Sequence, residues 1–339
     1  MALSRSVLIF SASWRTILKT EPTKCRGCRN FSLGRGRQWS KSDKTPDPLG
    51  NRIEEIKLES GPLSASSLVK PAIFTVAFSS ASLAGAVIWQ FENLRARRLT
   101  QTSSQWFSNR AYKVGQWRKQ ANNWWNSLTE GEKVFFPICL VNGLVFCAWR
   151  VPAFQTTMAR YFFSNVAAKK NCLPMILSAF SHYSPLHILA NMYVLHSFSS
   201  GAAFMMGKEQ FVGFYMAAAA VSSLASYTFR VALSKPGVSL GASGAIMGVL
   251  AYACVKNPDS LLHIILLPMF TFKAGVALKA VMAFDAAGIL FGFKLFDHAA
   301  HLGGALFGVF WAEYGNSCMQ YQRQHLLPIW HKIRTGKTT

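Results

Sequence analysis

Residues 238–256 read Val-Ser-Leu-Gly-Ala-Ser-Gly-Ala-Ile-Met-Gly-Val-Leu-Ala-Tyr-Ala-Cys-Val-Lys, with Gly241-Ala242-Ser243-Gly244 at their heart. A second apolar stretch, 299–316, carries Ala300-His301-Leu302-Gly303-Gly304. Each stretch is apolar enough to be read as a bilayer span. Polar side chains at that depth are expensive and persist mainly where they do chemistry or line a wet cavity. A serine and a histidine so placed read as a hydrolase that cuts within or beside the membrane.

The rest of the chain agrees with a membrane setting. Of 339 residues, 51% are hydrophobic and 15% charged, which excludes an ordinary soluble domain and fits an all-α polytopic membrane protein. Seven candidate spans follow from hydropathy: 69–91, 134–151, 185–206, 210–233, 238–256, 273–292 and 299–316. The fifth is the weakest, because Ser243 and its glycines dilute the signal. One long loop, 92–133, separates the first span from a block of six, and no internal repeat of the transporter kind is visible. The formal charge of +22 does not indicate nucleic-acid binding. The basic residues lie in the N-terminal region, in 92–133 and in the C-terminal tail 317–339, not on one face of a folded module.

Residues 1–42 contain nine Lys or Arg and one acid, Glu21. Leu3, Val7, Phe10, Trp14 and Ile17 recur at helical spacing, and the composition is that of a mitochondrial presequence. Residues 43–68, with Pro46, Pro48 and Pro62, read as a polar linker. The loop 92–133 holds eight basic and three acidic residues and Trp106, Trp117, Trp124 and Trp125, a pattern that lies against anionic headgroups. Cys25-Arg26-Gly27-Cys28 is a lone CxxC without a second pair, so no zinc site is expected, and the scattered cysteines make no disulfide framework. No metal or organic cofactor is implied.

A serine hydroxyl needs a base within about 2.6–3.2 Å to become a nucleophile. Ser243 is the candidate nucleophile and His301 the candidate general base, 58 residues later. Gly244/Gly248 and Gly304/Gly308 are two small-xxx-small pairs, each beginning beside one of these residues. That spacing lets two helix backbones approach closely. His187 and Asn191, at i and i+4, are candidate donors to an oxyanion, joined by the Ser243 amide at the head of its segment. Interhelical hydrogen bonding is the bland reading of that pair. His182 reads as a loop-ordering residue. His298, one turn before His301, is passed over because only His301 stands three residues before Gly304. His196 lies deeper in its span, and His263, His325 and His331 are loop or tail residues. Lys279 and Asp285 are charges in the sixth span, six apart and on different faces. Asp285 could orient His301 as a third member, but lining a wet cavity or capping a helix end is the favoured reading; Asp297 is a weaker third-member candidate. Metalloprotease chemistry lacks its His-Glu-x-x-His, and aspartyl chemistry lacks a second facing carboxylate.

These residues resemble the rhomboid intramembrane serine proteases, over roughly 134–316. Gly241-x-Ser243-Gly244 is similar to the family's Gly-x-Ser-Gly, Ala300-His301-x-x-Gly304-x-x-x-Gly308 to its histidine motif, and His187-x-x-x-Asn191 to its oxyanion pair. Trp149-Arg150 resembles a pair in the family's first loop and carries no role here. The presequence and extra first helix, with Trp149-Arg150-Val151-Pro152, Leu267-Pro268-Met269-Phe270-Thr271-Phe272 and Asp297-His298-Ala299-Ala300-His301, resemble the mitochondrial presenilin-associated rhomboid-like subfamily. The resemblance implies a six-helix core, 134–316, preceded by one extra transmembrane helix, 69–91 (1+6). It implies a Ser-His dyad without an essential acid, a multi-pass place in the mitochondrial inner membrane, and single-pass membrane proteins as substrates. Roles in mitochondrial quality control, mitophagy, apoptosis and inner-membrane dynamics are implied as well. Residues around Phe291, Phe293, Leu295 and Phe296 would form a lid or a membrane-seated connection. Charge bias puts loop 92–133 and the C-terminal tail in the matrix. The family's orientation, with a matrix N-terminus and the C-terminus in the intermembrane space, is adopted instead. A pseudoprotease that binds membrane helices without cutting them is the alternative. A transporter or channel would need more paired charges than the sequence offers.

Overall fold

A computed structural model describes residues 7–8, 61, 63–104, 115–264, 267–293 and 296–336. The described elements belong to one packed unit, Met1–Ile9 with Leu58–Thr339; the second unit, Phe10–Lys57, lies outside the described residues. So do the CxxC at Cys25–Cys28, most of the presequence and linker segments, and Leu295. Val7, expected on a helical face, instead lies with Leu8 in a short strand, Val7–Leu8 (β1). It runs parallel to Leu261–Ile264 (β2), which pairs antiparallel with Leu267–Lys273 (β3). The free edge of a hairpin offers unpaired backbone groups that a passing extended segment satisfies.

The rest is helical: α1 Val69–Ser104, α2 Gln116–Ser127, α3 Glu130–Ala148, α4 Gln155–Phe162, α5 Cys172–Leu177, α6 Pro185–Met206, α7 Lys208–Ala232, α8 Ser243–Lys256, α9 Ala274–Phe291 and α10 His298–Thr335. This is the expected all-α membrane architecture. Among the described residues four helices are long and apolar enough to cross a membrane: residues 65–101, α3, α7 and α9. α8 is apolar but shorter.

Each of the seven expected spans falls on a helix; 185–206 coincides with α6, and the others have shifted ends. Helix α3 starts before residue 134 because Thr129 and Glu132 cap it reciprocally: the Glu132 amide donates to Thr129 Oγ1 at 3.2 Å and the Thr129 amide to Glu132 Oε2 at 2.7 Å. The span 238–256 is corrected: its first five residues are not helical. Ser239 instead pairs with Ser164 in a two-way backbone bridge (2.9 and 3.0 Å), and the Gly241 amide donates to the Ser178 carbonyl at 2.9 Å. Loop 92–133 is also corrected, since α1 runs on to Ser104 and α2 forms a second helix within it. The C-terminal tail continues α10 to Thr335 and is tied to α1. Arg323 donates to Gln90 (2.7 Å), while Trp330 and Arg334 donate to Glu92 (2.8 and 3.0 Å). Hydropathy misses such continuations because they carry charge.

The centre of the fold is α8, buried without interruption from Gly244 to Tyr252. It lies in the seam between α10 and α7. A Cβ on Gly304 would collide with the Gly244 carbonyl oxygen, and one on Gly308 with that of Gly248. The expected close approach of the two glycine pairs is therefore present, backbone against backbone. On the other side, α7 presents four successive fully buried alanines, Ala217–Ala220, and α1 packs against α7 where a Cβ on Gly213 would come within 2.9 Å of the Ser82 carbonyl oxygen.

Candidate active site

Two helix starts meet at the site. Helix α8 begins at Ser243, so the first-turn amides have no helical carbonyl to reach. Gly241, two residues earlier, has φ +127, a backbone setting that L side chains rarely adopt. A Cβ there would also stand 2.9 Å from His187 Cε1 and 3.8 Å from Ser243 Oγ. The glycine of Gly-x-Ser-Gly thus turns the chain and leaves the space that the imidazole and the hydroxyl flank.

Helix α10 begins with Asp297 as its N-cap, accepting from the Ala300 amide at 3.1 Å. Its other oxygen accepts from Ser226 Oγ (2.5 Å) and Arg230 Nη2 (3.1 Å), which lock the helix start to α7. Burial opposes ionisation of Asp297, yet Arg230, Ser226 and the Ala300 amide hold its carboxyl below the usual carboxylate range. Arg230 also donates to the Val238 carbonyl at 3.3 Å, so one guanidinium bridges the segments leading to Ser243 and to His301. With both oxygens engaged, Asp297 is a cap and not the third-member candidate of the sequence reading.

One turn into α10, His301 Nε2 lies 2.8 Å from Ser243 Oγ. The structure therefore brings together the two residues that sequence had paired across 58 positions. Both are half-buried, closed in by protein but open to approach. His301 Nδ1 lies 3.3 Å from Asp285 Oδ1, and the same oxygen is 2.7 Å from His298 Nδ1. Asp285 is 1% exposed. It does not cap a helix end, which corrects that part of the favoured sequence reading. The reason is a contact across two helices. Lys279, by contrast, lies exposed on another face of α9.

The candidate oxyanion residues sit on the first two turns of α6. Ser184 caps it by accepting from the His187 amide (3.2 Å), with Pro185 at the first helical position. Asn191 is buried, with its amide nitrogen 2.9 Å from His182 Nε2. The Ala242 amide points at the same nitrogen at 3.4 Å. Burial holds the His182 imidazole well below its ordinary range, with His187 adding to the effect, so it is neutral and its single Nε2 lone pair accepts from Asn191, with the Ala242 amide sharing it at longer range. Asn191 keeps a second amide hydrogen for another acceptor. His182 therefore orders Asn191 and the approach to Ser243, a more specific part than loop ordering. The residue before it is anchored by Trp149 Nε1, which donates to Ser181 Oγ at 2.7 Å. Arg150 turns back over Phe146, donating to its carbonyl oxygen. Phe296 stacks obliquely near His301, 5.7 Å between ring centres, at one end of the expected lid.

Sequence reasoning underrated His182 and missed Arg230. The five-residue spacing from His182 to His187 was the available signal for the first. A lone arginine near a helix end carries none.

Comparison with known proteins fits this geometry. The Rhomboid domain family matches residues 169–316, which contain Ser243, His301, His187, Asn191, His182 and Asp285. Presenilin-associated rhomboid-like protein, mitochondrial, of Homo sapiens is 49% identical over 288 residues, covering 84% of this chain and 76% of the relative. This chain belongs to the presenilin-associated rhomboid-like family. The Mus musculus member is 46% identical over 319 residues, covering 93% of this chain and 83% of that protein. Rhomboid protein 1, mitochondrial, of Saccharomyces cerevisiae is a more distant rhomboid relative, 33% identical over 201 residues and covering 59% and 58%. All three are named mitochondrial. In this rhomboid-family chain the match to the domain begins before α5 and ends within α10, so α1 to α4 and the C-terminal part of α10 lie outside it.

Proposed function

We propose that the chain is an intramembrane serine endopeptidase of the mitochondrial inner membrane, with α1 as an extra span before a six-helix core. It cuts single-pass membrane proteins within or beside their transmembrane segments. The observation that carries this reading is the 2.8 Å separation of Ser243 Oγ and His301 Nε2 in a bundle with membrane-length apolar helices. Membership of the family and the mitochondrial names of its relatives support it.

The chemistry follows from the atoms. A substrate helix must unwind locally, because an intact helix hides its carbonyls. His301 Nε2 takes the Ser243 proton as Oγ attacks the carbonyl carbon. The oxyanion is held by the Ser243 amide, His187 and the free amide hydrogen of Asn191. Protonated His301 then gives its proton to the leaving nitrogen, and the peptide bond breaks to leave an acyl-enzyme. Water enters, loses a proton to His301 and releases the acyl group, restoring Ser243. The proton that water gives up passes through His301 to Ser243 Oγ as the ester bond breaks, and no cofactor takes part. Cleavage of such substrates would place the protein in mitochondrial quality control, mitophagy and apoptosis.

The test is cleavage of a reporter transmembrane segment in liposomes by the unaltered chain, Ser243→Ala and His301→Ala. Loss of cleavage in both folded variants is the expected result. An inert unaltered chain that still binds the segment would make it a pseudoprotease.

A further inference from the structure

Asp285 does not belong to the serine-histidine pair, yet it is one of the least accessible charged side chains described, in a helix where only Ala274, Leu278 and Gly288 are buried besides it. A carboxylate is not left buried without partners, because its desolvation costs several kcal/mol. Its Oδ1 faces His298 Nδ1 at 2.7 Å and His301 Nδ1 at 3.3 Å. The neighbourhood is built for this arrangement. Gly288 lies one turn after Asp285 on α9, and a Cβ there would collide with the His298 ring. Phe284, Phe293 and Phe296 close around the same ring, at 5.5, 6.1 and 6.0 Å between centres.

We propose that Asp285 is a positioning residue for His301, and that Gly288 and His298 hold the carboxylate in place. The inference rests on His301 acting as the base. For His301 Nε2 to accept the Ser243 proton, its other nitrogen must carry a hydrogen. Asp285 Oδ1 is the acceptor that fixes this tautomer and the ring plane, and its charge favours the imidazolium that forms during attack. The carboxylate comes from α9, whereas the serine and histidine come from α8 and α10, so the position of α9 sets how firmly the base is aimed.

The test is the pH dependence of reporter cleavage by the unaltered chain, Asp285→Asn, Asp285→Glu and His298→Gln, with Ser243→Ala and His301→Ala in parallel. The titratable groups facing His301 are Asp285 from α9, His298 on its own helix and His187 from α6; Asp297 is tied to Arg230. Removing the carboxylate destabilises the protonated imidazole, so the acid limb of kcat moves to lower pH in Asp285→Asn, by about one unit. The same change lowers kcat about 10–100-fold with KM unaltered. Asp285→Glu keeps the charge and keeps the limb near its original midpoint. His298→Gln lowers kcat less and leaves the midpoint in place. A fully folded fraction is not needed, because partial misfolding lowers the amplitude and not the midpoint. On the unaltered chain, histidine ¹⁵N shifts should show His301 protonated at Nδ1 and bare at Nε2. The opposite tautomer would overturn the inference. So would an unmoved limb and kcat in Asp285→Asn, or an equal limb shift in Asp285→Glu or His298→Gln. If Ser243→Ala or His301→Ala still cuts, the failure lies in the protease reading itself.

Discussion

Helices α8 and α9 are neighbours in sequence, both apolar, and they do opposite things. Helix α8 is buried from Gly244 through Tyr252, with glycine backbone pressed against the backbone of α10. In α9 only Ala274, Leu278, Asp285 and Gly288 are buried, while Val276, Leu290 and Phe291 face outward, more than half exposed. The seam that holds Ser243 against His301 is therefore dry, close-packed and unforgiving. The helix that brings Asp285 to His301 is attached by a narrow stripe, with a polar pin near its middle. The proposed protease would have to hold its reacting atoms rigidly and still admit a substrate, and this division of labour fits both demands.

Breaking the seam should do the most. Gly304→Val forces a side chain into the Gly244 carbonyl, and relief requires moving one helix off the other. The expected cost is about 3 kcal/mol or more, seen as loss of the monodisperse folded protein and of all cleavage. Gly308→Val should behave alike. If either variant folds with the original Tm, the seam is not the rigid half of the comparison.

Gly241→Ala acts one step from the seam. It demands a strained backbone and pushes toward His187. A destabilisation of about 1–3 kcal/mol is expected, with cleavage falling further than the loss of folded protein explains, measured as kcat per folded molecule.

The lock between α7 and α10 should give a middling effect with a diagnostic pH dependence. Asp297 has a depressed folded pKa, so its contribution is present above the unfolded carboxylate value near about 3.9 and is lost as pH falls through the lower folded value. Asp297→Asn should lower stability by about 1–3 kcal/mol at neutral pH. Its stability should then change less than the original protein's as pH falls below about 4. Equal acid slopes in thermal unfolding would remove the ion pair from the account.

The loose half predicts near silence. Lys279→Gln, on the exposed face of α9, should change Tm and kcat little, within about 0.5 kcal/mol. Backbone amides of α9 should exchange with deuterium faster than those of α8. Slower exchange in α9 would reverse the comparison.

Much of the candidate site is legible in one dimension. Ser243, His301, His187 and Asn191 stand out because polar groups in apolar runs are conspicuous, and the two glycine pairs announce close helix contact before any coordinates. Asp285 is conspicuous for the same reason, but its partner is not. The contact with His301 and His298 spans two helices, and no local rule says which face of α9 meets which turn of α10. Helix ends are hidden too. Residues 238–242 look like the start of a span, yet backbone bonds to Ser164 and Ser178 keep them out of the helix; the charged continuations of α1 and α10 look like loop and tail, yet Gln90, Glu92, Arg323, Trp330 and Arg334 fasten them together.

The sequence by itself therefore determined the membrane architecture, the pairing of the serine with the histidine, and the seam that allows it, because hydropathy and small-residue spacing act through near neighbours along the chain. Only the tertiary structure decided that Arg230 ties both site segments, that His182 serves Asn191, and that Asp285 faces His301. Those assignments depend on the rotation and depth of separate helices, and they are settled where side chains distant in sequence compete for the same buried space.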